Sequence, residues 1–167
     1  MNKTVDRNYL EIQSINDLVE TKKPSDEFAI DLIYPSNFQL NKFFYKNIGK
    51  KHNWVDRLVW TDKQWINYTD DKKVKTFVLK KKDDLAGYFE LIFHEEKNEI
   101  EIAYLGILEE YQNKNLGSYL LSTAIKKSFL NKPGRVWVHT CSLDHKNALN
   151  NYLSRGMKIF KKESVII

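Results

Sequence analysis

Apolar positions along this chain change period several times, and each change marks an element. Glu99 to Leu108 alternates as a half-buried strand does, with Ile100, Ile102 and Tyr104 on one side and Glu99, Glu101 and Ala103 on the other. A short polar bend follows. Beyond it Leu116, Leu120, Leu121, Ala124, Ile125 and Phe129 recur at helical spacing. Val74 to Lys80 and Leu85 to His94 are expected as strands around a Lys-Asp-Asp turn. Arg135 to Cys141 is the strand after the helix. Asn147 to Met157 predicts a second helix stopped by Gly156, with Asp144 as its N-cap and His145 opening it. Met157 to Ile167 closes as a strand.

The first third is less regular. Tyr9 to Gln13 and Phe28 to Tyr34 are short strand candidates, the second ended by Pro35, with a polar loop over Ser14 to Ser25 between them. Phe38 to Ile48 predicts a helix closed by Gly49, and Thr61 or Asp62 caps a short helix containing Trp65. Three consecutive strands joined by short turns must be antiparallel neighbours. The strand after the Leu116 helix can return parallel to the one before it. A mixed sheet with helices on its faces follows.

Composition narrows the class. The chain has 167 residues, 42% hydrophobic, which is one domain's worth of core. One cysteine excludes an intramolecular disulfide. The N-terminal residues show no leader, and no apolar run spans a bilayer, so a soluble cytoplasmic protein is expected. The net charge of +5 is scattered in small lysine runs rather than interleaved with aromatics, which argues against a nucleic-acid surface.

The bend before the long helix carries the chemistry. A strand, a tight polar loop and a helix start aim unpaired backbone N–H groups at one spot, where the helix dipole favours an anion. Gly117 leaves room for close approach, Asn115 tolerates positive φ, and Lys114 adds charge.

Gln112-Asn113-Lys114-Asn115-Leu116-Gly117 resembles the Gln/Arg-x-x-Gly-x-Gly/Ala pyrophosphate loop of the GNAT superfamily of N-acyltransferases, with Asn115 replacing the first glycine. Downstream, Ala148, Tyr152 and Gly156 are similar to its second signature, Ala-x-x-x-Tyr-x-x-x-Gly-Phe, with Met157 where Phe is usual. The resemblance is specific over Val74 to Lys162 and looser before that. A looser likeness to a bacterial subgroup runs through Trp54-x-Asp56-Arg57-Leu58-x-Trp60 and Val138-His-Thr-Cys-x-Leu-Asp-His145.

The resemblance implies an α/β fold: a mixed, mostly antiparallel sheet with helices on both faces and a splayed parallel pair of central strands. One acyltransferase domain over residues 1–167 follows. It would move an acetyl group from acetyl-CoA to a primary amine, by direct attack in a ternary complex. The acceptor would be a small amine or amino-acid-like compound, the protein a monomer or homodimer, with no nucleic-acid or membrane partner and no metal. Gln112, Asn113, Lys114, Asn115, Leu116, Gly117, Ser118 and Asn147 would hold the cofactor. The N–H of Ile107 or Leu108 would face the oxyanion.

Tyr152 would supply a proton to the departing thiolate, or else be a core aromatic. Glu101, eleven residues before Gln112, stands at the offset of the glutamate base of histone-acetylating members, yet ordinary solvent-facing patterning explains it equally. Trp54, Asp56 and Trp60 fall where members build the acceptor pocket, and Tyr104 is a further substrate contact. Against that stands packing of two short helices with an Asp56–Arg57 surface pair, the better account of Trp65. His139, Cys141, Asp144 and His145 tempt a metal or thiol reading. With no second cysteine and no ligand-spaced histidine pair a metal is not needed, and direct transfer from the cofactor needs no Cys141 relay. The competing functions are an acyl-CoA-binding module without catalysis and a basic nucleic-acid-binding domain.

Overall fold

The computed structural model describes residues 1–167. In chain order the elements are β1 (Thr4–Ile12), β2 (Phe28–Leu32), α1 (Phe38–Gly49), α2 (Asp62–Thr69), β3 (Val74–Lys81) and β4 (Asp84–His94). Then come β5 (Glu99–Ile107), α3 (Leu116–Phe129), β6 (Arg135–Cys141), α4 (Ala148–Ser154) and β7 (Lys158–Ile166). All seven strands form one sheet in the order β2-β3-β4-β5-β6-β1-β7. Every pair is antiparallel except β5–β6. The β3–β4–β5 meander and the parallel return after α3 match the sequence pattern. The insertion of β1 between β6 and β7 is a long-range pairing with no local signature.

Helices cover both faces. On one face, Leu116, Leu120, Ala124 and Ile125 of α3 pack on Phe89, Leu91, Ile100, Ile102 and Val138. On the other, Phe44 and Ile48 of α1 pack on Val78, Tyr88 and Leu108. A fully buried Leu, Ile, Val or Phe among these contributes about 1.5–3 kcal/mol. Thr61 opens α2 with a capping box closed by Gln64. No helix is long and apolar enough to cross a membrane.

Two irregularities in β5 position everything that follows. The first is a bulge. Glu90 faces Tyr104 while Leu91 faces Ile102, so Ala103 is an extra residue and the alternation reverses there. Ile100 and Ile102 share a face as expected, the one covered by α3, but Tyr104 turns to the α1 side, the side of Glu101. The simple alternation that put Tyr104 with the isoleucines is therefore corrected.

The second is a divergence. β5 and β6 pair only at Glu99–Arg135, Ile100–Val136 and Glu101–Trp137. Beyond Glu101 the two strands run on unpaired, to Ile107 and Cys141. A gap opens in the middle of the sheet.

The last helix is shorter than expected. α4 starts at Ala148, with Asn147 at the N-cap position. Asp144 is no N-cap: its carboxylate accepts from Thr140 Oγ1 and the Cys141 amide, closing the turn after β6. His145 lies before the helix, its Nδ1 accepting from the Asn147 amide. Gly156 sits at φ +103°, where an added Cβ would meet the Asp17 carbonyl oxygen at 2.1 Å, so only glycine fits.

Candidate active site

A cleft of about 1490 Å³ enters the gap between β5 and β6. One wall is the bend between β5 and α3. Asn113 (φ 62°) and Asn115 (φ 60°) both adopt the left-handed conformation, so the role given to Asn115 by sequence is shared by its neighbour but one. The turn they make leaves the backbone N–H groups from Asn113 to Ser118 with no acceptor in the protein. A Cβ on Gly117 would touch only Asn151 Nδ2, at 3.7 Å. Internal packing therefore does not demand the glycine; open space on its outer side suits a ligand brought close. Lys114 is exposed at the tip of the bend.

The floor of the gap is β5. The Leu108 N–H donates to the Ala86 carbonyl at 2.8 Å, so it cannot serve an oxyanion, and that half of the expectation is corrected. Bonded and non-bonded pairs alternate along an antiparallel ladder. Since Leu108 bonds to Ala86, the next pair, Gly87–Ile107, is non-bonded, and the Ile107 N–H faces away from β4 into the gap. Gln112 reaches the same edge, its Nε2 donating to the Ile107 carbonyl at 3.4 Å.

Tyr152 forms the opposite wall. Its ring is part of the α3-side core, 8% exposed, and its hydroxyl has no hydrogen-bond partner although it lines the cleft. Burial, with the Asp144 charge adding to it, pushes the phenol well above its ordinary pKa, so it stays protonated. Tyr152 is thus a core aromatic, as one of its two sequence readings had it, and its hydroxyl is unbonded. Glu101 lies at the root of the gap, the last β5 residue paired to β6. Its Oε1 is 2.9 Å from His94 Nε2 and its carboxylate also lines the cleft.

The α1–α2 loop closes the other end. Trp54 meets Tyr104 edge to face at 4.8 Å, and both line the cleft with the exposed Asp56. Trp60 does not. Its ring packs on Trp65 and Tyr68, outside the cleft, so its assignment as a substrate contact is corrected. Trp65 is a core residue at 1% exposed.

The sequence model of the Acetyltransferase (GNAT) family matches residues 35–157, which include the bend, the gap and Tyr152. The chain belongs to the GNAT acetyltransferase family.

Solved structures of other GNAT proteins share the fold at low identity. A GCN5-related N-acetyltransferase from Sphaerobacter thermophilus superposes with TM-score 0.74 at 12% identity, over 98% of this chain and 50% of that one. Spermidine N-acetyltransferase from Vibrio cholerae, in complex with CoA and spermine, gives 0.63 at 14%, over 85% and 96%. An aminoglycoside acetyltransferase from an uncultured soil metagenomic sample gives 0.66 at 13%, over 80% and 90%. The GNAT chain described here thus spans half the length of the Sphaerobacter protein. No curated protein sequence matches it.

Sequence reasoning missed the most heavily bonded polar group in this GNAT domain. Glu90 on β4 is 0% exposed and accepts from Arg57 Nη1 (3.0 Å), Tyr68 Oη (2.8 Å) and Asn41 Nδ2 (2.8 Å). Arg57 is 7% exposed, with Tyr68 and Tyr104 at 4.1 and 4.4 Å from its Cζ and Trp60 at 4.8 Å. Burial alone would pull the guanidinium down; the Glu90 carboxylate outweighs it and keeps Arg57 charged. The expected Asp56–Arg57 surface pair does not form. A signal was present: Glu90 interrupts an apolar run from Leu85 to Phe93, and a carboxylate there needs a cationic partner.

The His139–His145 run separates. His139 packs on Tyr9 at 5.6 Å, and His145 lies 6.1 Å from His52 across the cleft. No three His, Cys, Asp or Glu side chains converge as a metal site would require.

Proposed function

We propose that this GNAT protein transfers an acetyl group from acetyl-CoA to a primary amine, by direct attack in a ternary complex. The observation that carries the reading is the set of unpaired amides from Asn113 to Ser118, set beside an open gap between two parallel strands. Six consecutive N–H groups at a helix start fit a diphosphate, and the gap fits a slender chain running past Ile107.

Acetyl-CoA supplies an activated thioester when bound. This chain's residues do the rest. The bend, with Gln112, Leu116 and Asn147 beside it, holds the diphosphate. The Ile107 N–H, free of β4, would stabilise negative charge on the acetyl oxygen. The Tyr152 hydroxyl holds a proton where the thiolate departs. An ammonium has no lone pair, so the acceptor must lose a proton before attack. Glu101 takes it, and His94 at 2.9 Å leads it outward. Trp54, Tyr104 and Asp56 receive the acceptor, whose cationic form suits aromatic walls and a carboxylate. Small amines and amino-acid-like compounds are the class that fits.

Calorimetry with CoA, followed by thiol release from acetyl-CoA across an amine panel, tests the reading. Binding together with amine-dependent release is expected. Tight binding without release on any amine would favour a non-catalytic module. Salt-sensitive DNA or RNA binding with no response to CoA would favour the nucleic-acid reading.

A further inference from the structure

Arg57 has work left over after neutralising Glu90. Its Nη1 is the only nitrogen spent on the carboxylate, at 3.0 and 3.3 Å from the two oxygens. Its Nε and Nη2 donate to no carboxylate or carbonyl of the protein, and the side chain is 8% exposed. Arg57 also lines the cleft, beside Tyr104 and Trp54. The Nε–Nη2 edge is a guanidinium fork, the geometry that meets a carboxylate through two parallel N–H···O bonds. This fork is rigidly presented. Glu90 fixes one side of the guanidinium, the Tyr68 and Tyr104 rings bracket its carbon, and the Arg57 amide donates to Tyr45 Oη at 3.0 Å.

An arginine needed only to balance Glu90 could be sealed entirely. Here Arg57 lines the cleft wall where the acceptor would sit, with only Nη1 spent on Glu90. The same wall also carries two carboxylates, Asp56 and Glu101, which suit an ammonium. Glu101 and Tyr104 share the α1 side of β5, about 7 Å apart along the strand, so the two charges are met at separate places.

We propose that Arg57 anchors a carboxylate of the acceptor, so that the amine acetylated belongs to an amino acid rather than to a polyamine. This rests on the acyltransferase reading above and specifies its substrate.

The test uses the standard L-amino acids, each paired with the amine left by its decarboxylation, in both thiol release and calorimetry with CoA present. At least one amino acid should bind and react roughly ten- to a hundredfold better than its paired amine, the range expected of a charge-assisted hydrogen bond. Arg57→Met alone would strand Glu90, so the informative variant is Arg57→Met with Glu90→Gln. It should erase that preference, lowering kcat/KM for the amino acid roughly ten- to a hundredfold more than for the paired amine, with KM for acetyl-CoA little changed. Equal use of both partners by the native protein, or equal loss of both in the variant, overturns the anchor. Binding of amino acids that depends on Arg57, without release on any amine, would keep the anchor and overturn catalysis.

Discussion

Asn151 Nδ2 donates to the Gly117 carbonyl at 3.1 Å, so the helix that carries Tyr152 is tied to the first turn of the helix that opens the amide cradle. The residue that would protonate the thiolate and the amides that would hold the diphosphate are thereby kept at one spacing. Asn151→Ala should cost about 1 kcal/mol of stability, the value of one such bond. It should also lower acetyl-CoA turnover by more than it lowers CoA affinity, since the cradle itself remains. Thermal unfolding and thiol release check both. Unchanged turnover would mean that the apolar contacts of Ala148, Leu149 and Tyr152 set the spacing alone.

Gly117→Glu places a carboxylate where the unpaired amides point. A Cβ there is tolerated by the protein, so folding should survive. CoA affinity should fall beyond detection, through steric block and charge repulsion against the diphosphate. Calorimetry reads it directly, and retained affinity would remove the bend from the cofactor site.

Tyr152→Phe keeps the buried ring and deletes only the unbonded hydroxyl. Turnover should fall roughly ten- to a hundredfold, at or below the usual range for losing a proton donor, because a thiolate leaves moderately well without one. CoA affinity should stay within about twofold, since a hydroxyl without a partner contributes little to ground-state binding. Full turnover in the phenylalanine variant would assign Tyr152 to packing alone.

What could be read from the chain before folding was whatever is local. The Leu116 to Phe129 periodicity, the Gly156 stop and the turn around Lys82 depend on near neighbours, and each appears where expected. Tyr104 shows the limit. Period-2 reasoning holds along β5 only until a bulge, and Ala103 carries no mark that distinguishes it from a paired residue. Trp60 shows another. Tryptophans near an aspartate suggest a cationic acceptor, but the cation they surround is Arg57 of the same chain. Its partner Glu90 lies on β4, 33 residues away, so the pair could be suspected from either residue but not matched. The edge position of β2 and the insertion of β1 depend on contacts across most of the chain.

Acid should weaken the cleft entrance. Burial lowers the His145 pKa from its ordinary 6.5, and the nearby His52 and Lys146 lower it further. With the folded value below the unfolded one, the unfolded chain binds more protons once the pH drops through 6.5. Stability present above that pH is therefore lost progressively as the pH falls through the folded value. His145→Gln removes this contribution, so its melting temperature should decline less than the native protein's between pH 7.5 and 5.5. Parallel declines would show that His145 titrates as if exposed.

The Glu90 cluster makes the sharpest stability prediction. Glu90→Ala would leave Arg57 charged among five aromatic rings with no counter-ion, and would also strand Tyr68 Oη. Breaking one side of a buried pair costs about 3–5 kcal/mol, whereas replacing both charges together by well-packed neutral groups is often close to neutral. Glu90→Gln with Arg57→Met retains an amide oxygen for Tyr68 and Asn41 and removes both charges. Its loss in chemical denaturation should be less than half that of Glu90→Ala. If the two variants are equally destabilised, the cluster holds through packing and hydrogen bonds, and the charge on Arg57 is incidental to the fold.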